Sequence, residues 1–373
     1  MKKSECNDME ASARPGSSEV FFETHGAVAI IVLSRVEALN ALTHAMCIEI
    51  DRRLAAWAND PEIAAVVIRS ASDRAFCAGG DVRALYDSGV ALKQGRAEGK
   101  VAQDFIRDEY RMNRRIKTYR KPYIALIDGV VMGGGVGVSV HGSHRVVTER
   151  TVFAMPETAI GLFPDVGGTY VLPRLPRQIG AYLGLSGTRI KAPDLVAFGL
   201  ATHFVASARF GGLLEALIGA DWRGNACDIA DKVIQARSEP AGEANLAPHL
   251  DDIERCFSHD DVAAILDALD ATGTTVTTEA AARIRTMSPT SLKLTLAANR
   301  RGRQLAFDDC MVLEYRLIQA VLLYPDFYEG VRALLIDKDR KPKWDPSQLD
   351  AIDAAMLDRY FVVPPPGDLT FVD

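Results

Sequence analysis

The chain reads as an α/β protein, with a core of stacked strand–strand–helix turns over residues 19–205 and a helical region over 206–373. Three observations predict this. Short β-branched and apolar runs alternate with helix-period segments as far as about residue 205. Two glycine-rich segments, Phe76-Cys77-Ala78-Gly79-Gly80-Asp81 and Met132-Gly133-Gly134-Gly135-Val136-Gly137, each follow an apolar run and precede a helical pattern. Beyond residue 206 the periodicity is almost wholly helical.

The segment ahead of the core, residues 1–18, is small and polar and ends in Pro15-Gly16-Ser17-Ser18, so a disordered tail is expected. It has no apolar stretch of the signal-peptide kind and does not read as a transit peptide. Val20-Phe21-Phe22-Glu23-Thr24 and Ala27–Leu33 read as strands around a His25-Gly26 turn. Met46, Ile50, Leu54 and Trp57 recur at helical spacing and predict a helix over about 43–57. The run 64–69 is the next strand and leads into the first glycine segment. A long helix is expected over about 101–119, then a strand over 123–129 and a small-residue helix over 135–141. Short strands follow at 144–148 and 151–154. The strongest helical segments of the second region are 262–270, 291–300 and 306–323.

Composition narrows the function. With 48% hydrophobic and 25% charged residues the chain is an ordinary globular protein, and no apolar run reaches the length of a membrane span. A net charge of −6 argues against a nucleic-acid binder, though a local basic cluster is enough for a phosphate-bearing ligand. The six cysteines (Cys6, Cys47, Cys77, Cys227, Cys256, Cys310) form no CxxC pair. They are expected to be reduced thiols, and a cytoplasmic location follows from that reading. The seven histidines show no metal-ligand spacing, so no metal is expected, and His141, His144 and His203 read as packing or hydrogen-bonding residues.

The glycine segments point to chemistry. Where a strand passes into a helix through glycines, backbone N–H groups are left unpaired, and two such sites can converge on one developing oxyanion. Gly133–Val138 fits a dinucleotide fingerprint poorly, because the third spaced glycine is missing and Asp128 precedes the run. A close helix–strand contact is the plain alternative for the triple glycine. Glu157 in Met155-Pro156-Glu157 and Asp165 in Phe163-Pro164-Asp165-Val166-Gly167-Gly168 are the candidate carboxylates. Pro156 predicts extended or turn backbone before Glu157. Taken singly, each acid is expected at the surface; flanking apolar runs make joint burial the alternative, and burial with mutual repulsion would separate their pKa values. Cys77, between Phe76 and Ala78, reads as an apolar filler. Arg83 and the cluster Lys338, Arg340, Lys341 and Lys343 read as solvated charges or as contacts for ligand phosphates. The combination points to acyl chemistry at a polarised carbonyl.

Val36-Glu37-Ala38-Leu39-Asn40-Ala41-Leu42, the 76–81 segment, the triple glycine and Met155-Pro156-Glu157 together resemble the enoyl-CoA hydratase/isomerase (crotonase) superfamily. The longer motif from Met155 to Gly168, with 201–205, 288–293, 329–333 and 336–339, resembles its thioester-hydrolase branch. The resemblance covers about residues 20–350 and implies a crotonase-like spiral of ββα turns. It implies an acyl-CoA substrate, coenzyme A as part of that substrate rather than a cofactor, and no nucleic-acid or membrane partner. The activity implied is hydrolysis of a β-hydroxyacyl-CoA thioester. 3-Hydroxyisobutyryl-CoA (valine catabolism) is the first substrate and 3-hydroxypropionyl-CoA the second.

Residue by residue, the resemblance implies that the N–H groups of Ala78 and Gly134 form the oxyanion hole and that Glu157 and Asp165 are catalytic. It implies substrate contacts by Glu109, Gly79, Gly80, Asp81 and Gly134, and it leaves the C-terminal helices to cap the acyl pocket or to make homo-oligomer contacts. Hydratases resemble one another in carrying a glutamate at the position of Gly137, and its absence here favours hydrolysis. An enoyl-CoA hydratase or isomerase, and a non-catalytic acyl-CoA-binding protein, are the alternatives.

Overall fold

The computed structural model describes residues 19–96, 100–365 and 367–371, so the expected tail over 1–18 lies outside the described residues. The strands are β1 (Val20–His25), β2 (Val28–Leu33), β3 (Ala65–Ser70), β4 (Ala75–Cys77), β5 (Tyr123–Ile127), β6 (Val130–Met132), β7 (His144–Val147), β8 (Val152–Ala154), β9 (Ile190–Lys191) and β10 (His203–Phe204). They form one sheet in the order β1-β2-β3-β5-β7-β10 and a second in the order β4-β6-β8-β9. β1 and β2 are an antiparallel hairpin in register Val20↔Leu33, and from β2 onward the larger sheet is parallel. Pairs β3/β4, β5/β6 and β7/β8 each place one strand in each sheet before the chain crosses back. That is the expected stack of ββα turns.

Alternation along the strands decides what each face buries. Ala29, Ile31 and Leu33 of β2 face the main core, whereas Val28, Ile30 and Val32 face a second apolar cluster. Leu213, Leu217, Ala230 and Ile234 close that second cluster.

Four helical segments belong to the spiral's first half: α1 (His44–Asn59), α2 (Val82–Lys93), α3 (Lys100–Lys117) and the single turn α4 (Gly134–Gly137). α1 starts where Thr43 accepts a hydrogen bond from the Met46 amide, and it buries Met46, Ile50, Leu54 and Trp57 as the spacing predicts. The helix expected over 135–141 is shorter than predicted. Three glycines among its four residues give little helical propensity, and turns follow it. The extended or turn backbone expected before Glu157 is present: β8 ends at Ala154, and Glu157 opens a 3₁₀ turn, Glu157–Ile160, for which Pro156 is the N-cap residue.

The later helices are α5 (Gly168–Val171), α6 (Ile179–Ser186), α7 (Ala192–Ala197), α8 (Phe210–Ile218), α9 (Ala226–Gln235), α10 (Leu250–Phe257), α11 (Val262–Thr272), α12 (Thr275–Ile284), α13 (Pro289–Gly302), α14 (Phe307–Val321), α15 (Pro325–Val331) and α16 (Ala354–Asp358). α8 and α9 carry the residues that cover the outer face of the larger sheet. α14 is buried on most of its surface, from Phe307 through Leu317 and Ile318 to Val321. A π-helical turn, Arg332–Ile336, follows α15; it buries Ala333 and leaves Leu334 exposed and Leu335 half-buried. No described helix is long and apolar enough to cross a membrane.

Candidate active site

A cavity of about 410 Å³ opens where the two glycine segments meet. Its wall includes Gly79, Gly80, Gly133, Gly134, Glu109, Glu157 and Asp165, with Ile318, Leu334 and Leu335 contributed by the helical region.

The first glycine loop is held by a short parallel bridge. Leu42 N–H donates to Gly79 O at 2.8 Å, and Asp81 N–H donates to Leu42 O at 2.8 Å. In a parallel ladder the residue between two such bonds turns its own N–H the other way, so the Gly80 amide faces away from Leu42. The second loop turns at Gly133, whose φ of 48° and ψ of −123° suit glycine alone, and Gly134 then begins α4 with an N–H that has no intrahelical acceptor. The two loops touch: a methyl group on Gly134 would lie 3.0 Å from Gly80 N and 2.7 Å from Glu109 Oε1.

This geometry corrects one residue. Ala78 N–H donates to Leu39 O at 3.0 Å and is therefore spent within the fold, which leaves the Gly80 amide as the partner of Gly134. Asp81 is corrected too. Its carboxylate caps α2 by accepting from Ala84 N at 3.0 Å and pairs with Arg35 at 2.8 Å, and it is not part of the cavity wall.

Both candidate acids are inside. Glu109, Glu157 and Asp165 are 4%, 5% and 9% exposed, so the surface expectation for the lone acids does not hold. Among the described residues, Oε1 of Glu109 and Oε2 of Glu157 have no hydrogen-bond partner, which costs free energy unless a ligand or water supplies one. Asp165 instead accepts the Tyr110 hydroxyl at 2.7 Å. Burial raises all three acids. Asp165 is raised only to about 6 because the Tyr110 hydroxyl works against burial. Glu109 goes up to about 8, and Glu157 is pushed well above the usual carboxylate range, in each case by burial and then by the charge of Asp165. The separation anticipated for neighbouring acids is present: Asp165 ionises first, and its neighbours keep their protons longer.

Burial pushes the Cys77 thiol up to about 12, and its Sγ donates to Asn40 O at 3.0 Å, in keeping with a filler role. His141 is held down to about 4 by burial, is neutral, and donates its Nε2–H to Val166 O at 2.7 Å. His144 meets Asp231 at 2.9 Å and His203 meets Thr202 at 2.9 Å, both hydrogen-bonding roles. Among the described residues no cluster of three or more His, Cys, Asp or Glu side chains is arranged to hold a metal ion. Arg83 is exposed on α2, away from the cavity wall, while the basic run from Lys338 begins just past Leu335.

Four residues escaped the sequence reading. Asn40 donates to Ser70 Oγ, Ala75 O and Phe76 O, and so fixes β4 ahead of the first glycine loop. Tyr110 holds Asp165. Asn113, fully buried, fills the space above Gly137: a side chain at Gly137 would meet Asn113 Nδ2 and Val166 Cβ, each at 2.8 Å. Glu314 on α14 accepts from Gly167 N, Thr169 N and Thr169 Oγ1. The buried polar members of α3 sit in a long amphipathic pattern without any local signal, and only the following Gly-Gly at 167–168 hinted that the Asp165 turn needs outside partners.

Comparison with known proteins sets this geometry among relatives. A family model described as Enoyl-CoA hydratase/isomerase matches residues 28–361. The 3-hydroxyisobutyryl-CoA hydrolase, mitochondrial, of Xenopus tropicalis is 46% identical over 342 residues, which is 90% of this chain and 86% of that protein. The protein of the same name from Homo sapiens is 41% identical over 95% of this chain and 91% of its own length. Among solved structures, a carnitinyl-CoA dehydratase from Mycobacterium thermoresistibile superposes with a TM-score of 0.88 at 39% identity, covering 95% of this chain and 99% of that one. An enoyl-CoA hydratase from Rhodobacter sphaeroides 2.4.1 gives 0.86 at 40% identity, covering 95% and 100%. The curated relatives are mitochondrial by name, and this overturns the cytoplasmic expectation. Scattered reduced thiols mark a reducing compartment and do not tell one such compartment from another.

Proposed function

The chain belongs to the enoyl-CoA hydratase/isomerase family, and on that footing we propose that it is an acyl-CoA thioester hydrolase acting on 3-hydroxyisobutyryl-CoA, with a place in valine degradation. The observation that carries the choice of hydrolysis is the filled space at Gly137. A hydratase of this family would need a second glutamate there, and Asn113 and Val166 occupy the volume its side chain would take. Glu157 remains, with Asp165 eight positions on.

In this reading the thioester carbonyl oxygen lies between the Gly80 and Gly134 amides, which donate to the oxyanion as it forms. Glu157 faces the carbonyl carbon and, in its ionised form, acts as general base on water or as nucleophile to give a mixed anhydride. Asp165 orients the 3-hydroxyl or, in its protonated form, gives its proton to the departing sulfur. Glu109, which keeps its proton up to about pH 8, donates to a substrate oxygen near the two amides. Ile318, Leu334 and Leu335 cap the acyl chain, and the basic run from Lys338 to Lys343 meets the phosphates of coenzyme A. Thiolate is a good leaving group, so the scheme needs no metal or cofactor. Assembly into homo-oligomers through the helical region belongs to the same proposal.

The deciding experiment offers the protein 3-hydroxyisobutyryl-CoA and crotonyl-CoA in parallel. Free thiol from the first, with no loss of enoyl-thioester absorbance from the second, is expected. Absorbance loss without thiol release means a hydratase, and tight CoA-ester binding without either signal means a binding protein. Single turnover in heavy-oxygen water separates the two Glu157 routes: label in the enzyme carboxylate marks the anhydride.

A further inference from the structure

We infer that Glu314, a side chain of the helical region, is the positioning residue that holds Asp165 in its working place. The inference rests on the hydrolase reading, in which Asp165 works on the substrate. The turn that carries Asp165 is not one the backbone adopts unaided. Val166 is β-branched and sits at φ 50°, a conformation such residues keep only when their surroundings impose it.

The surroundings are specific. Gly167 N–H donates to Glu314 Oε2 at 2.8 Å, while Thr169 N–H and the Thr169 hydroxyl donate to Oε1 at 2.8 and 2.5 Å. At the other end of the same peptide unit, neutral His141 holds the Val166 carbonyl at 2.7 Å. The peptide that follows Val166 is therefore gripped at both its C=O and its N–H, and Asp165 is left to meet Tyr110.

The choice of residue follows from the donors. Three donors converge on one side chain, and a carboxylate offers two oxygens that only accept. A glutamine would turn an amide N–H toward one of the two backbone donors and lose that bond. Glu314 is fully buried and is not part of the cavity wall, so it reaches the chemistry only through the turn it holds. Ile318 stands one helical turn further along α14 and does line the cavity. One helix thus supplies both a wall of the acyl pocket and the strut behind an acid from the spiral.

The test uses the full chain and thiol release from 3-hydroxyisobutyryl-CoA. Glu314→Gln is expected to lower kcat by about a hundredfold and leave KM within about twofold, the pattern of a displaced reacting group rather than of lost substrate contacts. Thr169→Val is expected to lower kcat by roughly tenfold, and Thr169→Ser, which keeps the hydroxyl, to restore it. A crystal structure of Glu314→Gln is expected to show Asp165 moved away from Tyr110. A Glu314→Gln protein that melts earlier yet keeps wild-type kcat and an unmoved Asp165 overturns the inference. Should that variant not fold, the Thr169 pair decides alone: equal kcat in Thr169→Val and Thr169→Ser sinks it. Absence of thiol release by the wild-type protein defeats the hydrolase reading instead, and the crystal structure then still decides whether Glu314 holds the turn.

Discussion

Two neighbouring turns carry the two acids of the site, and they are built in opposite ways. The Glu157 turn is an ordinary 3₁₀ turn closed by Gly161, and its carboxyl leaves Oε2 without a partner. The Asp165 turn is strained at Val166 and gripped by Tyr110, His141 and Glu314. The difference teaches how one fold separates two chemically similar groups. An acid whose oxygen is left bare in a buried cavity has its bonding capacity reserved for substrate or water, at a cost to stability. An acid fixed by a neutral hydroxyl donor keeps its charge at lower pH and its place throughout.

Breaking the first turn should have the largest effect. Glu157→Gln is expected to lower thioester cleavage by about 10²–10⁴-fold while acyl-CoA binding, read by calorimetry, persists. Wild-type turnover in that variant would remove Glu157 from the scheme. Close behind comes the oxyanion hole: the added methyl of Gly134→Ala meets Glu109 and the Gly80 amide, and kcat should fall by about 10²–10³-fold. An Ala78 substitution that keeps the backbone in place should cost far less, because that amide is already paired with Leu39.

The second turn is tested by pH. Tyr110 stabilises the charged form of Asp165, whose pKa stands near 6 against the opposing influence of burial. Removing the hydroxyl in Tyr110→Phe raises that pKa further, so the acid limb of the kcat/KM profile should move up by about one unit or more. An unmoved limb would mean that Asp165 does not govern it.

The smallest expected effect is on stability. Glu109 has a folded pKa of about 8 and an ordinary value of 4.5 when unfolded. Between those values the folded protein keeps a proton that the unfolded chain has released, so stability falls as pH rises through the interval. Glu109→Gln removes this dependence and should raise the melting temperature at about pH 9 more than at about pH 5. A variant with the same advantage at both would locate the pH dependence in Glu157 or Glu314, which are raised by the same two causes.

Local pattern passed over the short strands β4, β6, β9 and β10, but it was enough for β1, β2, β3, β5, β7 and β8, for α1 and α3, for the two glycine loops and for the identity of both acids. Those features rest on neighbours in the chain: alternation along β2, the 3.6-residue period of α1 and the φ freedom at Gly133 are all written within a few residues. Which amide of the first loop is free was not written locally. Ala78 and Gly80 sit in the same glycine-rich stretch, and only pairing with Leu39 and Leu42, nearly forty positions earlier, spends one and turns the other toward the cavity. Burial of Glu157 and Asp165, the filling of the Gly137 site by Asn113 and the grip of Glu314 on a turn some 150 residues away are likewise tertiary. Hydrogen bonds and excluded volume act at contact distance, and separation along the chain says nothing of that distance until the chain has folded.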